Sequence, residues 1–152
     1  MVLDRIDIAL LENLQEDAKQ TNKQLSLKLS LSVTAIYERI KKLERAGIIR
    51  KYVALIDRAK VDLGFTVFCH IKLVQHVHKS VVEFEREIVK LSEVMECYHV
   101  SGEYDYLLKV LVKDMDHFRD FMVKKLTKLD HIGSTQSSFT INEVKNTTAL
   151  SF

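Results

Sequence analysis

Proline and tryptophan are absent from this 152-residue chain, glycine occurs four times and cysteine twice. With no proline and no Gly- or Ser-rich run, any two domains are joined by a short connection rather than a flexible linker. Cys69 and Cys97 form no C-x-x-C pair and are too few for a disulfide framework, which points to a reducing compartment. Apolar runs stop after a few residues, as at Val110-Leu111-Val112, whereas a membrane span needs about 18–20. The opening Leu3-Asp4-Arg5 places charge where a secretory signal needs an apolar core. A cytoplasmic protein with no membrane segment is expected. The Walker loop, G-x-G-x-x-G, G-x-S-x-G and H-E-x-x-H are missing too, so neither an enzyme nor a cofactor is expected.

What is present fits a folded chain: 47% of residues are hydrophobic and 29% charged. The net charge of +2 conceals an asymmetry. Residues 1–60 hold 12 Lys and Arg against 8 Asp and Glu, whereas residues 61–152 hold 11 against 13. Arg39, Lys41, Lys42, Arg45, Arg50 and Lys51 crowd one short stretch with only Glu44 among them. Such clustering suits an anionic partner, although a solvated helix face has the same composition.

The first half predicts three helices. Ile6, Leu10, Leu14 and Ala18, with Leu11 beside them, form one stripe of a helix over 4–18. Thr21-Asn22-Lys23-Gln24 fits a T-x-x-Q capping box before a short helix over 23–29. The strict alternation of leucine with serine or lysine from Leu25 to Ser32 has a strand's period, but it lacks β-branched and aromatic residues. Ser32 caps a third helix over 33–46 whose stripe is Val33, Ile36, Ile40 and Leu43, with Gly47 as its αL terminator. Ile48 to Ile56 is β-branched enough for strands, making a wing after a helix-turn-helix. Such a third helix fits the major groove. Thr34, Tyr37 and Glu38 become candidates for base contact, and Arg39, Lys41, Lys42 and Arg45 for phosphate or base contact. Ser32 suits a phosphate at the helix N-terminus. Glu38 also reads as an i, i+3 partner of Lys41.

The second half predicts β-α-β-β-α-β, the ferredoxin-like order. Strands are expected over 65–73, 94–100, 105–113 and 137–144. One helix is opened by the Ser80-Val81-Val82-Glu83 box and another by Asp114. The sheet face away from the helices reads as apolar and is expected to meet a second subunit, giving a dimer. His76 and His78 form an H-x-H in the first connection, read as solvated loop rather than as metal ligands; no metal site is expected. Cys69 and Cys97 read as small packed residues. The turn Gly102-Glu103-Tyr104-Asp105 and the polar run Ser134 to Ser138 read either as hairpin and loop or as an amino-acid pocket. In the second reading an acid would hold the ammonium and backbone N–H groups the carboxylate.

These residues together resemble the Lrp/AsnC (leucine-responsive and asparagine regulator) family of transcription factors. The resemblance runs from Leu3-Asp4-Arg5-Ile6-Asp7 through Leu31-Ser32 and Arg39-Ile40-Lys41-Lys42-Leu43-Glu44-Arg45-Ala46-Gly47-Ile48-Ile49 to Ser101-Gly102-Glu103-Tyr104-Asp105-Tyr106-Leu107-Leu108. It implies an α+β chain: a winged helix-turn-helix over 1–50, a connecting strand over 51–63 and a βαββαβ effector-binding and oligomerisation domain over 64–152. It also implies sequence-specific binding to double-stranded DNA, and homodimers that assemble to octamers. An amino-acid effector would bind between dimers at Gly102, Tyr104 and Asp105, with Thr135, Gln136 and Ser137 across the interface. Two departures from the family pattern stand out: Val33 where proline often follows the serine, and the unusual pair Tyr37-Glu38 on the recognition face. An architectural DNA-binding protein, or a sensor module without sequence-specific regulation, is the alternative.

Overall fold

The computed structural model describes residues 2–75 and 78–152, which form two compact units. The first comprises Met1–Leu55 with Lys145–Phe152 and the second Ile56–Val144. The sequence expectation ends the first domain at residue 50 and places the C-terminal tail in the second. The tail instead docks on the first unit. There the Gln15 amide makes reciprocal bonds with the backbone of Leu150, accepting its N–H at 2.7 Å and donating to its carbonyl at 3.0 Å.

Three helices build the first unit: α1 (Arg5–Glu16), α2 (Asn22–Leu29) and α3 (Val33–Arg45). They close over Leu10, Leu11, Leu25, Ile36 and Leu43, all buried. Each start is capped as side-chain chemistry dictates. Asp4 and Asp7 form a reciprocal box, Thr21 and Gln24 another, and Ser32 Oγ accepts from the Ala35 N–H at 3.1 Å. Replacing Thr21 by alanine leaves the Gln24 N–H without that partner. We expect a loss of about 1 kcal/mol, read as a lower denaturant midpoint at unchanged slope, with Thr21→Ser close to neutral.

The alternating Leu/Ser stretch is helix followed by turn. Leu25 is buried and Leu27 is 75% exposed, while Leu29 and Leu31 pack at the core's edge. The serines serve the turn. Ser26 Oγ donates to the Leu31 carbonyl, and Ser30 ends α2 in the left-handed region at φ 53°. Gly47 terminates α3 at φ 70° as expected.

The strand pair expected over 48–56 is not formed. Residues 50–57 belong to no helix or ladder, and Tyr52, Val53, Leu55 and Ile56 are exposed. The expected connecting strand likewise contains a 3₁₀ turn, Arg58–Val61. Composition here favours a strand, but a ladder needs a partner, and none lies beside this segment among the described residues.

The second unit is a four-stranded antiparallel sheet in the order β2-β3-β1-β4, formed by β1 (Phe65–Leu73), β2 (Val94–His99), β3 (Tyr106–Val112) and β4 (Ile132–Phe139). Helices α4 (His78–Ile88) and α5 (Met115–Lys124) contribute Phe84, Ile88, Phe118 and Phe121 to a core with Val67, Cys69, Ile71, Tyr106, Leu108 and Val110. This is the predicted βαββαβ order, with two local corrections. Ser80 does not open α4: it lies inside the helix and is 3% exposed. β4 begins at Ile132 rather than residue 137, because its pairing with β1 sets its position. Gly133 permits that start, since a Cβ there would sit 3.3 Å from the Lys72 carbonyl oxygen at the register shift.

The sheet face away from the buried side chains is mixed rather than apolar. Along β1 it alternates Thr66, Phe68, His70 and Lys72, beside Leu107, Lys109 and Leu111 of β3. Lys109 pairs with Glu96 at 3.1 Å across the ladder.

Candidate nucleic-acid interface and effector site

Helix α3 stands on its aliphatic side, with Ile36 and Leu43 fully buried, and turns a polar side outward. Ser32, Thr34, Tyr37, Glu38, Lys41, Lys42 and Arg45 are all exposed. Glu38 makes no pair with Lys41. The Lys41 ammonium instead meets Glu44 Oε2 at 2.7 Å and lies 5.9 Å from the centre of the Tyr37 ring. The hydrogen bond that Lys41 donates to Glu44 raises the Lys41 pKa and lowers that of Glu44. Glu44 Oε1 accepts from the Tyr52 hydroxyl at 3.2 Å. Arg45 Nε donates to the Lys41 carbonyl at 3.3 Å.

Arg39, expected to contact DNA, is paired within the first unit. Its Nη1 meets Asp4 Oδ2 at 2.8 Å and Asp7 Oδ1 at 2.6 Å, and the Asp7 side chain is completely buried. This guanidinium ties α3 to α1 and is committed within the protein. Lys42 is nearer to a free cation: its Nζ is 3.8 Å from Asp7 Oδ2 and its side chain is half exposed. Sequence reasoning placed Asp7 only in a helix first turn. A carboxylate in line with the apolar Leu10 and Leu11 was the available signal, since an acid on a buried stripe needs a buried cation.

In the second unit the turn after β2 brings Gly102 to φ 132°, a region side-chain-bearing residues rarely adopt. Asp105 holds this turn to the end of β1. Its N–H donates to the Ile71 carbonyl at 2.9 Å and its carboxylate accepts the Leu73 N–H at 2.7 Å. The Tyr104 hydroxyl donates to Gln136 Oε1, and its ring packs 5.2 Å from that of His70. Gln136 and Tyr104 therefore meet beside the open sheet face. Thr135 and Ser137 lie on the other face of β4, opposite Ile71 and Cys69, and Cys69 Sγ is 3.7 Å from Ser137 Oγ. The six predicted residues thus divide. Gly102, Tyr104 and Gln136 gather, Asp105 turns one oxygen to the backbone, and Thr135 and Ser137 face away.

The other polar groups are structural. The Tyr106 hydroxyl donates to Glu85 at 2.8 Å, and burial first and Glu85 second push its pKa upward. Burial, with a smaller push from Glu85, moves the Cys97 thiol up to about 11, so it is un-ionised near neutral pH. His78 opens α4, while His76 lies outside the described residues. Among the described residues no cluster of three His, Cys, Asp or Glu is placed to hold a metal ion. Among them, too, no helix is long and apolar enough to cross a membrane.

Comparison with known proteins matches residues 3–50 to a winged helix-turn-helix DNA-binding family and residues 66–150 to the Lrp/AsnC ligand-binding domain. The leucine-responsive regulatory protein of Escherichia coli K12 is 37% identical over 148 residues, covering 97% of this chain and 90% of its own. A transcriptional regulator from Neisseria meningitidis, solved in complex with L-methionine, superimposes with a TM-score of 0.93 at 36% identity, covering 99% of this chain and 97% of that one. An AsnC family regulator from Agrobacterium tumefaciens gives 0.89 at 37% identity, covering 98% and 97%. An exposed recognition helix on a winged helix-turn-helix, followed by a ligand-binding domain and matched along nearly the whole chain, makes this protein a member of the Lrp/AsnC family of ligand-modulated, DNA-binding transcriptional regulators.

Proposed function

We propose that this chain is a cytoplasmic, sequence-specific regulator that reads double-stranded DNA with Thr34, Tyr37, Lys41 and Arg45 and responds to an amino acid. The observation that carries the reading is the outward polar face of α3, built on a buried aliphatic stripe and capped at its N-terminus by Ser32. Ser32 offers a phosphate the positive end of the helix, Lys42 and Arg45 add cations, and Thr34 and Tyr37 stand where base edges pass. Residues 1–50 serve as the DNA-binding domain, 51–63 as connector and 64–152 as sensor, with Lys145–Phe152 returning to the first unit.

The proposed effector is an amino acid, the class held by the Neisseria relative. Its site includes Gly102, Tyr104 and Asp105, with Thr135, Gln136 and Ser137 supplied across an interface between copies. Within one chain Thr135 and Ser137 lie on the opposite face of β4 from the Tyr104 cluster, beside Ile71 and Cys69, so any part they take in that cluster's site comes from another copy. Dimers form over the mixed sheet face, and the unpaired, exposed segment 50–56 supplies a second strip for pairing with another copy. Assembly to octamers completes the proposed arrangement.

The test has two arms. Affinity is measured for a selected operator and for random duplex across salt, where a regulator shows a ratio of roughly a thousandfold or more. Equal affinities would favour an architectural protein. Thermal melting is then recorded with each of the twenty amino acids, and a native-state ligand raises the midpoint. If none does so and none alters DNA binding, the amino-acid reading fails.

A further inference from the structure

We infer that Glu44, steadied by Tyr52, is a specificity-determining residue of the DNA-reading surface. It aims the Lys41 ammonium and withholds its charge from indiscriminate phosphate contact. The inference rests on the reading that α3 meets DNA.

Both Glu44 oxygens are engaged. Oε2 is 2.7 Å from Lys41 Nζ, and Oε1 accepts from Tyr52 at 3.2 Å. The carboxylate is more sheltered than its cation, with side-chain exposures of 29% and 46%. Tyr52 comes from the extended segment after α3, so two separate stretches of the first unit fix one acid. An unrestrained lysine is a point charge on a flexible stem and finds any phosphate. One donor held by Glu44 leaves two in a defined direction, as needed for the paired acceptors of a guanine edge. Glu44 is a positioning residue in this scheme. It acts through Lys41 and need not touch DNA.

The experiment uses the full chain and compares wild type with Glu44→Gln, Tyr52→Phe, Lys41→Ala and the double variant Lys41→Ala/Glu44→Gln. Each is titrated with the selected operator and with random duplex over a range of salt. Thermal midpoints confirm folding. Glu44→Gln releases one cation. Random duplex should bind about five- to tenfold tighter near 0.1 M salt, with a slope steeper by about 0.9. The operator gains less, so the specificity ratio falls at least about threefold. Tyr52→Phe alters no charge at neutral pH, yet it should lower the ratio by about twofold, which a purely electrostatic role for Glu44 would not do. In the Lys41→Ala background, Glu44→Gln should no longer change the ratio. An unmoved ratio in Glu44→Gln, or an effect that persists without Lys41, overturns the inference. Arg45→Ala separates the two levels. If it weakens DNA binding while Glu44→Gln leaves the ratio unmoved, only the role of Glu44 falls. If it and Lys41→Ala both leave binding untouched, the assignment of α3 as the DNA surface falls as well.

Discussion

Replacing Arg39 by alanine is expected to destabilise the first unit by about 2–4 kcal/mol. Breaking a buried ion pair by removing one partner costs about 3–5 kcal/mol, because the other charge stays desolvated. Asp7 is completely buried, but Arg39 keeps 26% of its side chain exposed, and water there reduces the loss. For a unit of this size the melting midpoint should fall by on the order of 10 °C. Arg39→Lys should recover only part: the single Nη1 makes both contacts, and the shorter lysine stem does not carry its ammonium to the same point. DNA binding is lost only where the unit unfolds. At a temperature that keeps the variant folded, operator affinity should stay within about twofold of wild type. A variant that melts like wild type and binds DNA weakly would return Arg39 to the contact surface.

The same cluster carries a pH signature. The Asp7 N–H first, and the Arg39 side chain second, hold the Asp4 carboxyl below its ordinary range. A carboxyl depressed in the folded state contributes stability that is complete above its unfolded pKa near ~3.9 and is lost as pH falls through the depressed value. Removing Arg39 takes away the second of these causes. The acid limb of the stability curve should therefore be shallower in Arg39→Ala than in wild type.

Asp105→Ala is expected to fail twice, in stability and in response. Its carboxylate accepts the Leu73 N–H at 2.7 Å, and loss of that acceptor leaves a part-buried donor unpaired. The cost is about 1–3 kcal/mol, seen in equilibrium denaturation. Asp105→Asn keeps an acceptor oxygen and should regain most of it. Both substitutions remove the negative charge that an amino-acid ammonium needs, so both should abolish the thermal shift and the change in DNA affinity caused by the effector. An intact response in Asp105→Asn would make the carboxylate purely a clasp for β1 and move ammonium recognition elsewhere.

These two residues show where local reasoning stops. Thr21 with Gln24, Ser32 and Gly47 announce helix ends within four residues of the groups they bond, and all behave as read. Arg39 looks like any cation on a basic helix until Asp7, 32 residues away, is seen beneath it. The Ser80 box had the right letters, but burial placed it inside the helix. β4 was misplaced because its polar run Ser134 to Ser138 has no apolar alternation, and only the ladder with β1 locates it.

Sequence by itself determined the order of the helices and of the four sheet strands, the helix ends at Thr21, Ser32 and Gly47, the two apolar cores and the basic outer side of α3, because each depends on periodicity or on hydrogen bonds between near neighbours. Tertiary structure decided which charges are spent inside the protein, which face of β4 each polar residue takes, and that segment 50–56 pairs with no strand among the described residues. Those outcomes depend on pairings between residues far apart in the chain, whose strength is set by burial and geometry that residue spacing does not encode.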